Sequence, residues 1–121
     1  MCDFTGGVAP EITKRRPVVV VGPRLPGRSR LYAVVPLSGA RPRVARAYHV
    51  RLPSNPHPGE ADARPVWAKC DLLQNVSIDR LDRFRLGAGR YTAARRLDAE
   101  TLEAVRAGML AALGLAEGRS T

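Results

Sequence analysis

Cysteine and histidine are both scarce in this chain of 121 residues. The two cysteines, Cys2 and Cys70, lie too far apart in sequence to suggest the closely spaced framework of a disulfide-stabilised domain. The two histidines, His49 and His57, are eight residues apart and match no zinc-binding spacing. The sequence therefore predicts no disulfide framework, no structural metal and no cofactor.

Long apolar segments are also missing, since a membrane-spanning helix needs about 20 predominantly apolar residues and no run approaches that length. The first residues include Asp3 and lack the apolar core of a signal peptide. We therefore expect a cytoplasmic protein that makes no membrane contact. A hydrophobic content of 45% in 121 residues suits one core, so residues 1–121 are predicted to form a single domain.

Basic residues, in contrast, are abundant: 20 lysines and arginines stand against 11 acidic residues, giving a net charge of +9. Only Lys14 and Lys69 are lysines, and arginine is the residue that favours bidentate contact with phosphate. This composition indicates nucleic acid as a partner, but an acidic protein would be attracted equally well. A GC-rich genome would produce the same excess of arginine with neither partner.

A run of four valines at residues 18–21 is the clearest strand signal. Valine is β-branched and stiff, and four in succession are typical of a strand buried on both faces. Pro17 fits the first position of such a strand, where its missing N–H costs least. Arg16 would then stand at the mouth of a rigid strand, at the end of a loop that becomes basic at Lys14.

Other segments predict further short strands and turns. Alternation at residues 66–73 would place Trp67, Lys69 and Asp71 on one face of a strand. After residue 75 we expect a strand end and a helical turn with Asp79 as its cap. The remaining predicted strands lie within residues 1–5, at 31–37, which should form a hairpin with the valine strand, at 48–52 and at 90–96, with a glycine-rich turn at 87–89.

The C-terminal segment predicts the one clear helix. Asp98 is a good N-cap, and Gly114 fits the position after the last helical residue. An apolar stripe at helical spacing is formed by Leu102, Val105, Met109 and Leu113. Several short strands with one terminal helix indicate a mainly β, β-rich α+β fold: a small, mostly antiparallel barrel with the helix laid against it.

Four segments of the chain, at residues 16–20, 34–38, 69–71 and 75–81, resemble in their order and spacing the PemK/MazF group of toxins from bacterial toxin–antitoxin pairs, and the start of the chain resembles its PemK-like growth inhibitors. The resemblance implies an SH3-like barrel, a homodimer, and metal-independent cleavage of single-stranded RNA that leaves a 2′,3′-cyclic phosphate and a 5′-hydroxyl. It also implies a small antitoxin protein that binds across the RNA groove and silences the enzyme.

The resemblance assigns catalytic roles to four residues. Arg16 matches the catalytic arginine before the Pro-Val strand and would stabilise the phosphorane. Ser38 stands where threonine is usual and would donate a hydrogen bond to a phosphate oxygen. Lys69 and Asp71 match an Arg-Cys-Asp segment, in which Asp71 would act as base or hold Arg16, and Lys69 would serve as electrostatic partner or acid. Basic residues proposed to guide the RNA backbone are Lys14, Arg15, Arg24, Arg41 and Arg43.

Simpler explanations exist for these residues, and Arg16 with its neighbours could be solvated charges that flank a strand. Lys69 and Asp71 could form a local ion pair, Ser38 could start a turn, and Trp67 could be a core residue. His57, in a proline-rich loop, is interpreted as inert. Two rival functions remain open: a non-catalytic interaction module of the same barrel fold, such as a gyrase-binding toxin or a degenerate nucleic-acid-binding barrel, and a housekeeping RNA-binding barrel.

Overall fold

A computed structural model describes residues 1–23, 25–58, 64–85, 91–92 and 96–115 of the chain. Nine strands and one α-helix lie in this described part, and none of its helices has the length and apolar character needed to cross a membrane. The elements are β1 (Cys2–Asp3), β2 (Arg15–Arg16), β3 (Val18–Val20), β4 (Leu31–Ser38), β5 (His49–Arg51), β6 (Trp67–Lys69), β7 (Gln74–Ser77), β8 (Phe84–Arg85), β9 (Tyr91–Thr92) and α1 (Ala99–Ala112).

The eight-residue strand β4 is the centre of the main sheet. It pairs antiparallel with β3, β6 and β7, while β5 pairs with β6, so the strand order is β3-β4-β6-β5 with β7 on β4. Every strand pair in the described part is antiparallel. The predicted mostly antiparallel sheet with one C-terminal helix is therefore confirmed.

The alternating side chains of β4 build a core on each of its faces. Val35 and Leu37 belong to the larger cluster, which includes Val105 of α1. Val34 points the other way and packs with Cys2 and other residues of a smaller N-terminal cluster. Because successive side chains of a strand alternate between faces, one strand holds both clusters together.

The N-terminal segment brings Arg16 into a strand. β1 pairs with β2 so that Cys2 lies opposite Arg16, and the backbone N–H of Leu37 donates to the carbonyl of Pro17 at 2.9 Å. The loop predicted up to Lys14 is thus followed by the short strand β2 before the valine strand begins. The backbone of Arg16 is consequently held from both sides, by β1 directly and by β4 one residue later.

The valine strand is buried less completely than its composition indicates. Val19 and Val21 are buried in the larger cluster, but the side chain of Val20 is 44% exposed. The prediction of burial on both faces is wrong because β3 forms the end of the four-strand order, where part of one face is left uncovered.

The predicted strand at residues 66–73 ends early. β6 stops at Lys69, and residues 70–72 form a 3₁₀ turn closed by the Leu73 N–H donating to the Cys70 carbonyl at 3.3 Å. Cys70 is fully buried beneath α1, with its sulfur 3.5 Å from the Val105 carbonyl oxygen. The chain therefore turns at Cys70, and the prediction that Lys69 and Asp71 share a strand face is wrong.

The segment after β7 corrects another local prediction. A 3₁₀ turn does follow the strand, at Ile78–Arg80, but its cap is Ser77, whose hydroxyl accepts from the Asp79 N–H at 3.2 Å. Asp79 lies inside the turn and pairs with Arg30 at 2.7 Å. The turn predicted at 87–89 lies outside the described residues, and of the strand predicted at 90–96 only its residues 91–92 are described in a strand, β9, which pairs with β8.

Helix α1 follows its predicted signals closely. The Asp98 side chain accepts from the Thr101 N–H at 2.6 Å, and Gly114 adopts a positive φ of 74°, so both predicted ends are confirmed. Val105 is fully buried, but Leu113 is 59% exposed. The predicted apolar stripe is therefore wrong at its last position, because Leu113 is the residue at which the helix ends.

Candidate active site

A cavity of about 300 Å³ opens where the ends of β2 and β4 meet the loop before β6. The polar and charged side chains on its wall come from segments far apart in sequence, which the fold brings together. Among its described lining residues there is no carboxylate, and two arginines supply its fixed charge. Such a wall favours an anion, and a phosphate in particular. Its polar and charged side chains are those of Arg16, Ser38, Asn55, His57 and Arg64.

Arg16 is the partly buried arginine of this wall, and its backbone is held by β1 and β4 as described above. Within the described part of the chain, no carboxylate forms an ion pair with Arg16, whereas its neighbour Arg15 pairs with Asp82 at 3.7 Å. The Arg16 guanidinium therefore brings an unneutralised positive charge to the cavity from a rigid backbone position.

Ser38 is the last residue of β4 and starts a turn, because its hydroxyl oxygen accepts from the Ala40 N–H at 3.1 Å. This confirms that Ser38 starts a turn, but the hydroxyl can still form a further hydrogen bond. A serine hydroxyl has two lone pairs and one proton, so Ser38 can accept from Ala40 and still donate to a bound oxygen.

The third part of the wall comes from the proline-rich loop, in which the sequence predicts no site residue. Asn55 is 1% exposed, and its side-chain oxygen accepts from the backbone N–H of His57 at 2.9 Å. The imidazole of His57 packs edge-on against buried Phe84, with ring centroids 4.7 Å apart. The available signal was polar residues between prolines, which stiffen a loop, since ligand-binding residues are often carried on loops held by a rigid scaffold.

The two other predicted catalytic residues are placed elsewhere. Lys69 lies opposite His49 in the register of β6 and β5, and Asp71 is exposed in the 3₁₀ turn that follows. Neither lines the described wall of the cavity, and the local ion pair between them is absent from the described part of the chain. The structure thus brings Arg16 and Ser38 together without Lys69 and Asp71, and the roles of all four stay predictions.

A second cavity of about 520 Å³ adjoins the first, since Gly39 lines both. The guanidinium carbon of Arg51 lies 5.8 Å from the centroid of the Trp67 ring in this cavity. Ser38, Trp67 and Arg51 are paired across β4, β6 and β5, so their side chains share one face of the sheet. Trp67 is half-buried on that face, and the expectation that it is a core residue is wrong.

The predicted RNA-guiding residues are spread over the surface. Arg41 lines the second cavity, Lys14 and Arg43 are exposed and line neither cavity, and Arg15 lies in the ion pair with Asp82. Arg24 lies outside the described residues.

Metal-ligating and thiol groups add nothing to this site in the described part of the chain. The described residues contain no group of three or more His, Cys, Asp or Glu side chains that could hold a metal ion. Burial raises the pKa of the Cys70 thiol to about 11, with a smaller contribution from the Asp71 charge. Cys70 is therefore a neutral thiol at physiological pH and unsuited to act as a nucleophile.

Comparisons with known proteins agree with this fold. The family of PemK-like, MazF-like toxins of type II toxin-antitoxin systems matches residues 1–113. The uncharacterized protein YifN of Escherichia coli K12 is 38% identical over 90 residues, which are 71% of this chain and 59% of that protein. An uncharacterized protein of Haemophilus influenzae is 34% identical over 84 residues, 66% of this chain and 57% of that protein. The chain therefore spans less than two thirds of the length of these relatives.

Among solved structures, the Mycobacterium tuberculosis toxin MazF-mt6 superimposes with a TM-score of 0.58 at 19% identity. The match covers 87% of this chain and 92% of that one. At this identity the likeness establishes the fold, a sheet-rich barrel with a C-terminal helix.

Proposed function

The chain belongs to the PemK-like, MazF-like toxins of type II toxin–antitoxin systems, and from that membership we propose that it is an endoribonuclease that cleaves single-stranded RNA without a metal ion. The observation that carries the proposal is the shared cavity of Arg16 and Ser38. These are the two residues that match the family's catalytic arginine and hydroxyl, and the described wall around them is basic.

The proposed reaction is an internal transesterification. The 2′-oxygen of the RNA forms a bond to phosphorus while the bond from phosphorus to the 5′-oxygen breaks. One proton leaves the 2′-hydroxyl and one is added to the 5′-oxygen, so the products are a 2′,3′-cyclic phosphate and a 5′-hydroxyl. Arg16 would bind two phosphate oxygens and offset the charge of the phosphorane, and Ser38 would donate to one of them.

The adjoining cavity suits the nucleotides beside the scissile phosphate. Trp67 offers an aromatic face and already holds Arg51 against it, and Arg41 adds a further charge. Stacking on aromatic side chains is a common way to hold single-stranded RNA and tolerates different bases. We infer that the RNA strand runs from the Arg16 cavity across Gly39 towards Trp67.

The partners and location follow the same family reasoning. We propose that a cognate antitoxin neutralises the protein and that an acidic segment of it is attracted by the net charge of +9. We further propose a homodimer, a single domain and a cytoplasmic location. The match of the family to residues 1–113 supports the single domain.

A non-catalytic interaction module of the same fold is the second candidate. It is favoured by the position of Lys69 and Asp71, which the family's chemistry would use and which lie outside the described wall of the cavity. If cleavage depends on these two residues, the cavity binds a phosphate without cutting its bond.

Cleavage of a long single-stranded RNA in the presence of EDTA tests the proposal. We expect the natural protein to cut at a short motif and to leave cyclic-phosphate ends. Arg16→Ala should still bind RNA but cut about 10²- to 10³-fold more slowly, as expected on loss of a charge that stabilises the transition state. Arg83→Ala removes an exposed arginine that lines neither cavity and serves as the control. A folded, antitoxin-free natural protein that binds RNA without cutting it would establish the interaction module instead.

A further inference from the structure

We propose that His57 carries out one of the two proton transfers of the reaction, a role that rests on the endoribonuclease function proposed above. His57 comes from a loop that none of the four family-like segments includes. His57 nevertheless lines the same cavity as Arg16 and Ser38.

The position of the imidazole is set by the protein itself. The fully buried Asn55 accepts the backbone N–H of His57 at 2.9 Å, which shapes the loop at the point where the side chain leaves it. The ring then packs edge-on against Phe84, a buried residue of β8, at a centroid distance of 4.7 Å. Two contacts from different segments therefore hold His57 at the cavity wall before any RNA is bound, as a catalytic group requires.

The other described side chains of the wall cannot move a proton at neutral pH. Arg16 and Arg64 carry guanidinium groups, which have donors but no acceptor, and Asn55 has no titratable group. The hydroxyl of Ser38 is a much weaker acid than an imidazolium group. Histidine is the residue type whose charge changes between about pH 5 and 8, and it is the commonest general acid or base in enzymes.

The proton balance defines what His57 would do. As a neutral imidazole it would take the proton of the 2′-hydroxyl while the bond from the 2′-oxygen to phosphorus forms. As an imidazolium it would give its proton to the 5′-oxygen while the bond from phosphorus to that oxygen breaks. Water makes whichever of the two proton transfers His57 does not make, and no redox partner or metal enters the balance.

The test compares His57→Gln and His57→Ala with the natural protein on the same single-stranded RNA. Loss of a proton-transfer residue should slow cleavage about 10²- to 10⁴-fold and leave RNA affinity unchanged. The chain offers a matched control in its other histidine. His49 lines neither cavity, and its Nδ1 accepts from the Arg46 N–H at 3.1 Å, so His49→Gln should cut at the natural rate.

Adding imidazole to the His57→Ala variant distinguishes a role of His57 in proton transfer from a role in packing. Imidazole should restore cleavage to His57→Ala by entering the space left by the side chain. Pyrazole has the same size but is not protonated near neutral pH, and it should not restore cleavage. RNA with sulfur in place of the 5′-oxygen shows which proton His57 transfers, because the sulfur leaves without being protonated. If His57→Ala cuts this RNA at the natural rate, His57 donates the proton to the 5′-oxygen. If it does not, His57 removes the proton from the 2′-hydroxyl.

Failure of this inference is distinguishable from failure of the proposed function. If the natural protein cuts RNA and His57→Gln cuts equally fast, His57 has no role in proton transfer and the endoribonuclease remains. Equal rescue by imidazole and pyrazole would likewise overturn the inference, since it would show that His57 only fills space. If the natural protein does not cut at all, the proposed function fails first, and the inference falls with it.

Discussion

Gly108 lies where α1 packs against Cys70 and Val50, and replacing it with alanine tests the packing of the helix. A methyl group built at this position would lie 2.8 Å from the Cys70 sulfur and 2.8 Å from a methyl carbon of Val50. Favourable contacts between such atoms occur at about 3.5–4.0 Å, so both would overlap. Cys70 and Val50 are short side chains of the core region, and the Cys70 sulfur is already held 3.5 Å from the Val105 carbonyl. Relief of both overlaps would therefore require the core side chains or α1 to shift.

Two opposing effects decide the size of the change. Alanine is favoured over glycine inside a helix by about 1 kcal/mol, which would stabilise the variant. Overpacking of a core costs about 1–3 kcal/mol, and this cost outweighs the gain here because two contacts are violated at once. We therefore expect Gly108→Ala to lower the free energy of unfolding by about 1 kcal/mol net. For a chain of this size, that corresponds to a fall in Tm of about 4 °C.

Urea unfolding followed by Trp67 fluorescence and far-UV circular dichroism measures this change. Ala107→Gly, at the exposed neighbouring position, calibrates the effect of helix propensity alone and should cost about 1 kcal/mol. The double variant with Cys70→Ala and Gly108→Ala lacks the sulfur that the new methyl group would overlap. Because the two residues touch, its free energy of unfolding should be higher than the sum of the two single changes predicts. If Gly108→Ala instead stabilises the protein by the full propensity gain of about 1 kcal/mol, the close packing of α1 on Cys70 is refuted.

Two further predictions concern pH. Hydrogen bonds from Thr101, the backbone N–H first, hold the pKa of Asp98 below its usual value. The ionised Asp98 cap should therefore stabilise α1 fully at a pH above the usual pKa of aspartate. This stabilisation should be lost as the pH falls through the lowered pKa. Asp98→Asn should remove this acid dependence from the unfolding curve, and an unchanged dependence would contradict the assignment. Burial raises the pKa of Cys70 from 9.0 to about 11, so stability should fall as pH rises from 9.0 towards about 11, where the unfolded chain ionises first. The native thiol should resist alkylation at neutral pH until urea unfolds the protein, as read by peptide mass spectrometry; rapid native alkylation would show that Cys70 is accessible.

Local signals predicted the helix and the main strands well. The cap at Asp98 and the positive φ of Gly114 depend on bonds within a few residues, so the sequence around them is sufficient. Misses occurred where a distant segment intervenes. The chain turns at Cys70, where α1 packs over it, and Val20 is exposed in a strand at the end of the sheet order. Neither arrangement is visible in the local pattern.

The candidate site likewise contains residues that the sequence selects and residues that only distant contacts bring to it. The order of the family-like segments was sufficient to select Arg16 and Ser38, because each sits at the end of a strand whose composition is distinctive. The sequence by itself thus determined the antiparallel, helix-capped architecture and two residues of the cavity. Only the tertiary structure placed His57 beside them and left Asp71 outside the described wall of the cavity. The physical reason is that a loop's position depends on contacts such as those of Asn55 and Phe84, which join segments that no periodicity relates.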